Sequence, residues 1–196
     1  MPHAESSIVP SGITSKTDFY IHVNEQLRYL LEGSTFWISN LSQLSSLLYH
    51  AYLSSPLFGI NHSIQSNPST PVVNWVGFYI LHQSKLFVGP YHGKPACSEI
   101  NLFGKSVCAT AFRDGAVIVP NVDKWEGHIA CDGETKSEIV IPLIITLKDG
   151  NSKNIGVLDL DSTLLDKFDE DDLNGLRGVV DTLVSMTDWE PCFSMV

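Results

Sequence analysis

The sequence predicts an α+β domain in which a largely antiparallel sheet is flanked by helices. Three observations carry that expectation. Two amphipathic helical segments lead the chain and another closes it. Between them the strands come as hairpin pairs joined by short turns, and no strand–helix–strand alternation appears that would build a parallel sheet. At 196 residues, 43% hydrophobic and 17% charged, the chain is long enough for one domain with a substantial core.

Residues 1–14, polar and interrupted by Pro2 and Pro10, are expected as a mobile lead-in, 15–188 as the domain and 189–196 as a tail. Thr17 and Asp18 offer an N-cap to a helix with Tyr20, Val23, Leu27, Leu30 and Leu31 on one face, and Gly33 is placed to end it. A second helix is expected from about Thr35 to Tyr52, with Trp37, Leu41, Leu44, Leu48 and Ala51 at helical spacing before Pro56 and Gly59. Residues 60–71 are rich in turn formers. Val73 to Ile80 alternates as a strand, Leu86 to Val88 returns, and Gly89-Pro90 closes the hairpin. Residues 91–105 read as irregular, Ser106 caps a short helix holding Cys108 and Phe112, and Ala116 to Val119 reads as a strand followed by a loop. The β-branched run Ile139 to Leu147 reads as a buried strand, Lys148 to Asn151 as a turn, and Ile155 to Leu160 as the returning strand. Asp169 caps a last helix with Leu173, Leu176, Val180, Leu183 and Val184 inward.

Composition narrows the function. Twelve basic against 22 acidic residues give a net charge of −10, which leaves no basic patch for nucleic acid or an anionic membrane. No apolar run reaches the ~18 residues of a membrane span, and the N-terminus lacks the basic-then-apolar pattern of a secretory signal. Four cysteines without such a signal point to a reducing, cytoplasmic compartment. Ten residues separate Cys97 from Cys108 and 22 separate Cys108 from Cys131, which matches no common zinc pattern; neither a metal nor another cofactor is expected.

The chemistry concentrates around residues 127–142, where a small-residue loop carries Cys131, preceded by His128 and followed by Asp132, Glu134 and Glu138. Carboxylates raise a thiol's pKa, so a reactive Cys131 needs an offsetting donor such as His128 or backbone N–H groups. Cys97 and Cys108 add two more thiols in loop or loop-edge positions. Asp159 and Asp161, two apart on a strand, place their carboxylates on one side, as do Trp75 and Tyr79, four apart. Each grouping alone has a plain structural reading: incidental thiols, solvated strand ends, core aromatics.

Together they look different. Gly77 to Tyr79, Gly89 to Cys97, Ser106 to Ala111, Gly127 to Asp132, Ser137 to Pro142 and Gly156 to Ser162 closely resemble, in order, the free methionine-(R)-sulfoxide reductases, single-domain enzymes of the GAF fold. The resemblance covers roughly residues 72–185 and implies a six-stranded antiparallel sheet with a pocket under loops on one face. It implies reduction of free methionine-(R)-sulfoxide to methionine with electrons from thioredoxin, in the cytoplasm and as part of an oxidative stress response, with a homodimer as one admitted assembly. By the same resemblance Cys131 matches the nucleophile and Cys97 its disulfide partner, while Cys108 matches a third thiol that attacks or resolves in some members. Glu138, Asp159 and Asp161 match the pocket acids, and Trp75 and Tyr79 the aromatic wall. The residue types suit the reaction. A thiolate attacks the sulfoxide sulfur, a clustered carboxylic acid holds the proton its oxygen needs, and ionised acids receive the substrate ammonium group. An aromatic wall takes the methyl group, and a second thiol condenses the resulting sulfenic acid to a disulfide. Where the family has Gly-Val-Cys-Gly, this chain has Ser106-Val107-Cys108-Ala109. The competing reading is a non-catalytic GAF module that binds a small molecule or senses redox state; the three thiols and clustered acids favour catalysis.

Overall fold

Helices α1 (Lys16–Leu31) and α2 (Trp37–Ser54) come first in the computed structural model, which describes residues 9–64, 68–128 and 132–193. Ser15 caps α1, accepting from the Asp18 N–H at 3.1 Å and donating back to its carboxylate at 2.7 Å. The cap therefore lies just before Thr17, because this exchange occupies both partners. α2 starts two residues later than its periodicity suggests, with Phe36 at the N-cap and no side-chain cap.

The strands follow as β1 (Val73–His82), β2 (Lys85–His92), β3 (Glu99–Asn101), β4 (Val117–Val119), β5 (Ser137–Thr146) and β6 (Ser152–Ser162). They form one six-stranded sheet in the order β3-β2-β1-β6-β5-β4, every pairing antiparallel. Helix α3 (Val107–Asp114) precedes β4, while α4 (Glu170–Met186) and the short α5 (Glu190–Phe193) end the described chain. This is the α+β sheet that the sequence predicts, with three differences. β3 lies in a stretch read as irregular, since a three-residue strand is too short to show alternation. Gly89 and Pro90 lie inside β2 instead of ending it; β3 pairs with Lys85 to Phe87, so Pro90, which has no N–H, stands where no ladder bond is required of it. The expected tail is packed: Trp189 and Cys192 are buried, and the Trp189 indole N–H donates to the Val184 carbonyl at 3.1 Å. Val9, within the expected lead-in, is buried as well. Among the described residues no helix is long and apolar enough to cross a membrane.

Alternation along the strands splits the interior into two layers. Val76, Phe78, Ile139, Ile141, Leu143, Leu158 and Leu160 face α1, α2 and α4 and make the larger core. Trp75, Tyr79, Val140 and Val157 face the other way and pack with Val107, Cys108, Ala109 and Ala111 of α3.

One polar network ties the helices together inside the larger core. The Tyr20 hydroxyl lies 2.6 Å from that of Tyr52 and donates to Asp172 at 2.8 Å, while the Lys16 ammonium pairs with both Asp172 and Asp169. Asp169 and Asp172 also form the capping box of α4, as the sequence leads one to expect of Asp169. Gly175 completes the join, because a Cβ there would fall on the Tyr20 ring. Asp172 is fully buried, and Lys16, Tyr20 and the Asp169 N–H meet its carboxylate. Asp172→Ala, which leaves Lys16 with Asp169 alone and takes an acceptor from the buried Tyr20 hydroxyl, is expected to cost about 1–3 kcal/mol. Lys85→Ala, which breaks an exposed pair with Glu99, should cost less than about 1 kcal/mol. Urea unfolding of the two variants beside the parent measures both.

Candidate active site

The register of three strands assembles the site. Asp161 of β6 stands opposite Trp75 of β1 on one side and Glu138 of β5 on the other. One row along, Asp159 stands between Gly77 and Val140. All these side chains belong to the sheet face that carries α3, so Glu138, Asp159 and Asp161 line one narrow cavity with Trp75, Tyr79, Cys97 and Cys108. Its volume is about 50 Å³, room for a few waters.

α3 delivers the thiol. Ser106 caps it, accepting from the Ala109 N–H at 3.2 Å, with an extended backbone at φ −60° that needs no glycine. Ala109 is fully buried without displacing the helix. The two departures from glycine are therefore absorbed locally. Cys108, in the first turn, donates its S–H to Asp159 Oδ2 at 3.2 Å and lies 3.9 Å from Glu138 Oε1. A helix N-terminus lowers a thiol's pKa, but here burial and the charges of Asp159 and Glu138 dominate, and the Cys108 thiol is pushed well up.

The acids are perturbed in the same direction. Burial, then Asp159 and Asp161, hold Glu138 well above the usual carboxylate range. Asp161, partly exposed at the mouth, is raised first by desolvation and then by Asp159 and Asp132. Desolvation pushes Asp159 up to about 7, with the Cys108 and Glu138 donors pulling back. Oδ1 of Asp159 is buried with no hydrogen-bond partner among the described residues. His128 Nε2 lies 3.7 Å from Glu138 Oε2, yet burial lowers the His128 pKa, so near neutral pH this is a contact between uncharged groups.

The aromatic wall is a stack of three rings. Trp75 lies on Tyr79 with centroids 5.8 Å apart and on Tyr91 at 5.3 Å, near-parallel to both. Gly77, between Trp75 and Tyr79, makes room for the indole, since a Cβ there would fall on its ring and on Tyr91. The Trp75 N–H donates to the Lys94 carbonyl at 3.2 Å, which ties the wall to the Cys97 loop.

Of the residues singled out from sequence, nine line the cavity, His128 and Asp132 among them, and Cys97 is disulfide-bonded. Cys131 lies outside the described residues. Sequence reasoning missed a polar strap at the mouth. Lys94 bridges Asp132 at 3.1 Å and Glu134 at 2.7 Å, and Asn74 donates to Asp132 at 3.1 Å. Asp132 ends up below its ordinary value; burial raises it, but the Glu134 N–H and Lys94 together outweigh that. The signal was the charge pattern itself, a lone lysine beside Cys97 and two acids just after Cys131.

No family model matches the chain. Among curated relatives, the free methionine-R-sulfoxide reductase of Escherichia coli (strain K12) is 34% identical over 186 residues, covering 93% of this chain and 98% of the relative. A solved GAF domain superposes with a TM-score of 0.79 at 36% identity, covering 96% of this chain and 97% of that one. A free methionine-R-sulfoxide reductase of Neisseria meningitidis, solved in complex with its substrate, superposes with a TM-score of 0.75 at 30% identity, covering 97% and 99% of the two chains.

The buried acids have a stability signature. Unfolded, Asp159 loses its proton near 3.8; folded, it does so at about 7. Between those values the native state holds the extra proton, so its contribution is fully present below about pH 4 and is lost as pH rises to about 7. Asp159→Asn keeps an acceptor for Cys108 and removes the titration. The variant should gain stability over the parent as pH rises from 4 to 8, and the difference between their melting curves across that range measures it. A difference independent of pH would show that Asp159 titrates normally.

Proposed function

The chain belongs to the free methionine-R-sulfoxide reductase family of GAF-fold proteins, and on that premise we propose that it reduces free L-methionine-(R)-sulfoxide to L-methionine. The observation that carries the proposal is the cavity itself, where a thiol and three acids face a stacked aromatic wall. The wall suits the methyl and methylene groups, and an acid cluster short of positive charge suits a free ammonium group, which a residue inside a protein chain lacks. Residues 15–188 are the unit to which we assign the activity.

Cys131 is the attacking thiol in this reading. Its sulfur engages the substrate sulfur while Glu138, held protonated by burial and like charge, hydrogen-bonds and protonates the S–O oxygen. The sulfur–oxygen bond of the substrate breaks, methionine departs, and the oxygen remains on Cys131 as a sulfenic acid. The thiol of Cys97 then forms a disulfide with Cys131, releasing that oxygen as water. A thioredoxin dithiol reduces the disulfide and is itself oxidised, which restores both thiols. Asp159 and Asp161 receive the ammonium group. The raised pKa of Cys108 supports its exclusion from the first attack, since little thiolate is available at that position. Opening of the Lys94 strap would widen a cavity too small for an amino acid in the disulfide form.

With a thioredoxin system, the protein is expected to convert the R epimer of free methionine sulfoxide and leave the S epimer untouched, followed as methionine formed and NADPH consumed. Equal turnover of both epimers would overturn the R specificity, and no turnover with a competent reductant would favour a binding module. Glu138→Gln should lose about 10²–10⁴-fold in rate, with the fold retained by circular dichroism. In single-turnover assays Cys131→Ser should form no methionine, Cys97→Ser about one equivalent before stalling, and Cys108→Ser should be the mildest of the three. First-turnover activity kept by Cys131→Ser and lost by Cys108→Ser would reverse the assignment.

A further inference from the structure

We propose that Cys108, Glu138 and Asp159 form a binding site for a thiophilic divalent cation, zinc foremost, and that the cation competes with the amino-acid substrate for the cavity. The competition rests on the reading of the cavity given above; the binding does not.

The three donors come from α3, β5 and β6, are all buried, and have ligand atoms within 4.8 Å of one another. Regular secondary structure holds each one, so the set is organised before any ion arrives. Zinc bonds to sulfur at about 2.3 Å and to carboxylate oxygen at about 2.1 Å, which in tetrahedral geometry puts the two ligand atoms roughly 3.6 Å apart. The Cys108 sulfur is 3.2 Å from Asp159 and 3.9 Å from Glu138, on either side of that value. One sulfur with two carboxylates suits zinc, cadmium or cobalt better than magnesium or calcium, which take oxygen alone.

A second observation points to a ligand here. Asp159 is 6% exposed and lines the cavity, yet its Oδ1 has no hydrogen-bond partner among the described residues. A buried carboxylate oxygen without a donor is costly unless a proton or a cation occupies it. Three protein ligands leave the fourth position of a tetrahedron open toward the cavity, for water or for a substrate group. On binding, Cys108 and the protonated carboxyls of Glu138 and Asp159 give up their protons to solvent and the cation takes their place. Such an ion would occupy Asp159, one of the two acids to which we assign the substrate ammonium, and Glu138, to which we assign the proton for the sulfoxide oxygen.

Cobalt is the informative probe, because a cobalt–thiolate bond adds a charge-transfer absorption that oxygen ligands do not produce. Titration of the disulfide form, without added reductant, leaves Cys108 and Cys192 as the free thiols of the described residues. One equivalent of Co²⁺ is expected to bring up the thiolate band in the parent and in Cys192→Ala, and zinc should bleach it. Cys108→Ser should lose the band. Asp159→Asn should keep the band while weakening affinity by about 10-fold or more, a split that mere unfolding would not give. No band in the parent, a band that survives Cys108→Ser, or one that depends on Cys192 would overturn the site. Free methionine-(R)-sulfoxide should raise the cobalt concentration needed for half the signal. If the band forms as described but the sulfoxide leaves it unchanged, the cation site stands and the competition falls.

Discussion

Antiparallel pairing sets Glu138 of β5 opposite Asp161 of β6 and puts Asp159 one row along between Gly77 and Val140, so three carboxyls share one face of neighbouring strands. Everything else at the site follows from that register. Side chains alternate across a sheet, so a slip of one residue would carry the acids into the layer of Val76, Phe78, Leu158 and Leu160 and bring those apolar groups out under α3. Register is therefore guarded by the larger core, since a slip loses its apolar packing at once. The helices on that side, joined through Tyr20, Asp172 and Gly175, hold the acids in place without touching them.

The charge balance in the cavity shows which effect prevails. α3 presents its N-terminus to Cys108, and that alone would favour a thiolate. Burial and two carboxyls act against it, and they prevail because desolvation is large where the helix end contributes a partial charge. The same crowding keeps protons on the acids near neutral pH. The protein thus stores protons on one wall and keeps its buried thiol quiet on that side of the cavity.

Much of this was legible in the sequence. Asp159 and Asp161 announce a shared face by their spacing, as do Trp75 and Tyr79, and Ser106 and Asp169 announce helix starts. The elements that stayed hidden lack a repeating signal. β3 has three residues, and Ser15 caps α1 through a reciprocal bond with Asp18 that propensity alone does not separate from Thr17. Tail residues 189–193 carry a tryptophan, but whether it packs depends on a gap between sheet and α4 that exists only after folding. Lys94 and Asn74 were overlooked for the same reason: their partner Asp132 comes within reach only once β1 and β2 bring the loops together. The disulfide state of Cys97 likewise belongs to the fold, because no spacing rule pairs cysteines.

The two apolar layers on either side of the sheet are unequal, and that inequality has a dynamic consequence. One layer is clamped by three long helices, the other by the two-turn α3, a three-residue strand and loops. Segments with few buried neighbours open at a fraction of the global unfolding free energy, while backbone amides deep in central strands exchange with solvent only when the whole domain unfolds. The thinner cover can thus lift and reseat as a local unit while β1 and β6 keep the acid face intact. The redox cycling we propose, which needs sulfur atoms to approach and separate repeatedly, would fall on the side of the molecule where breathing is cheapest.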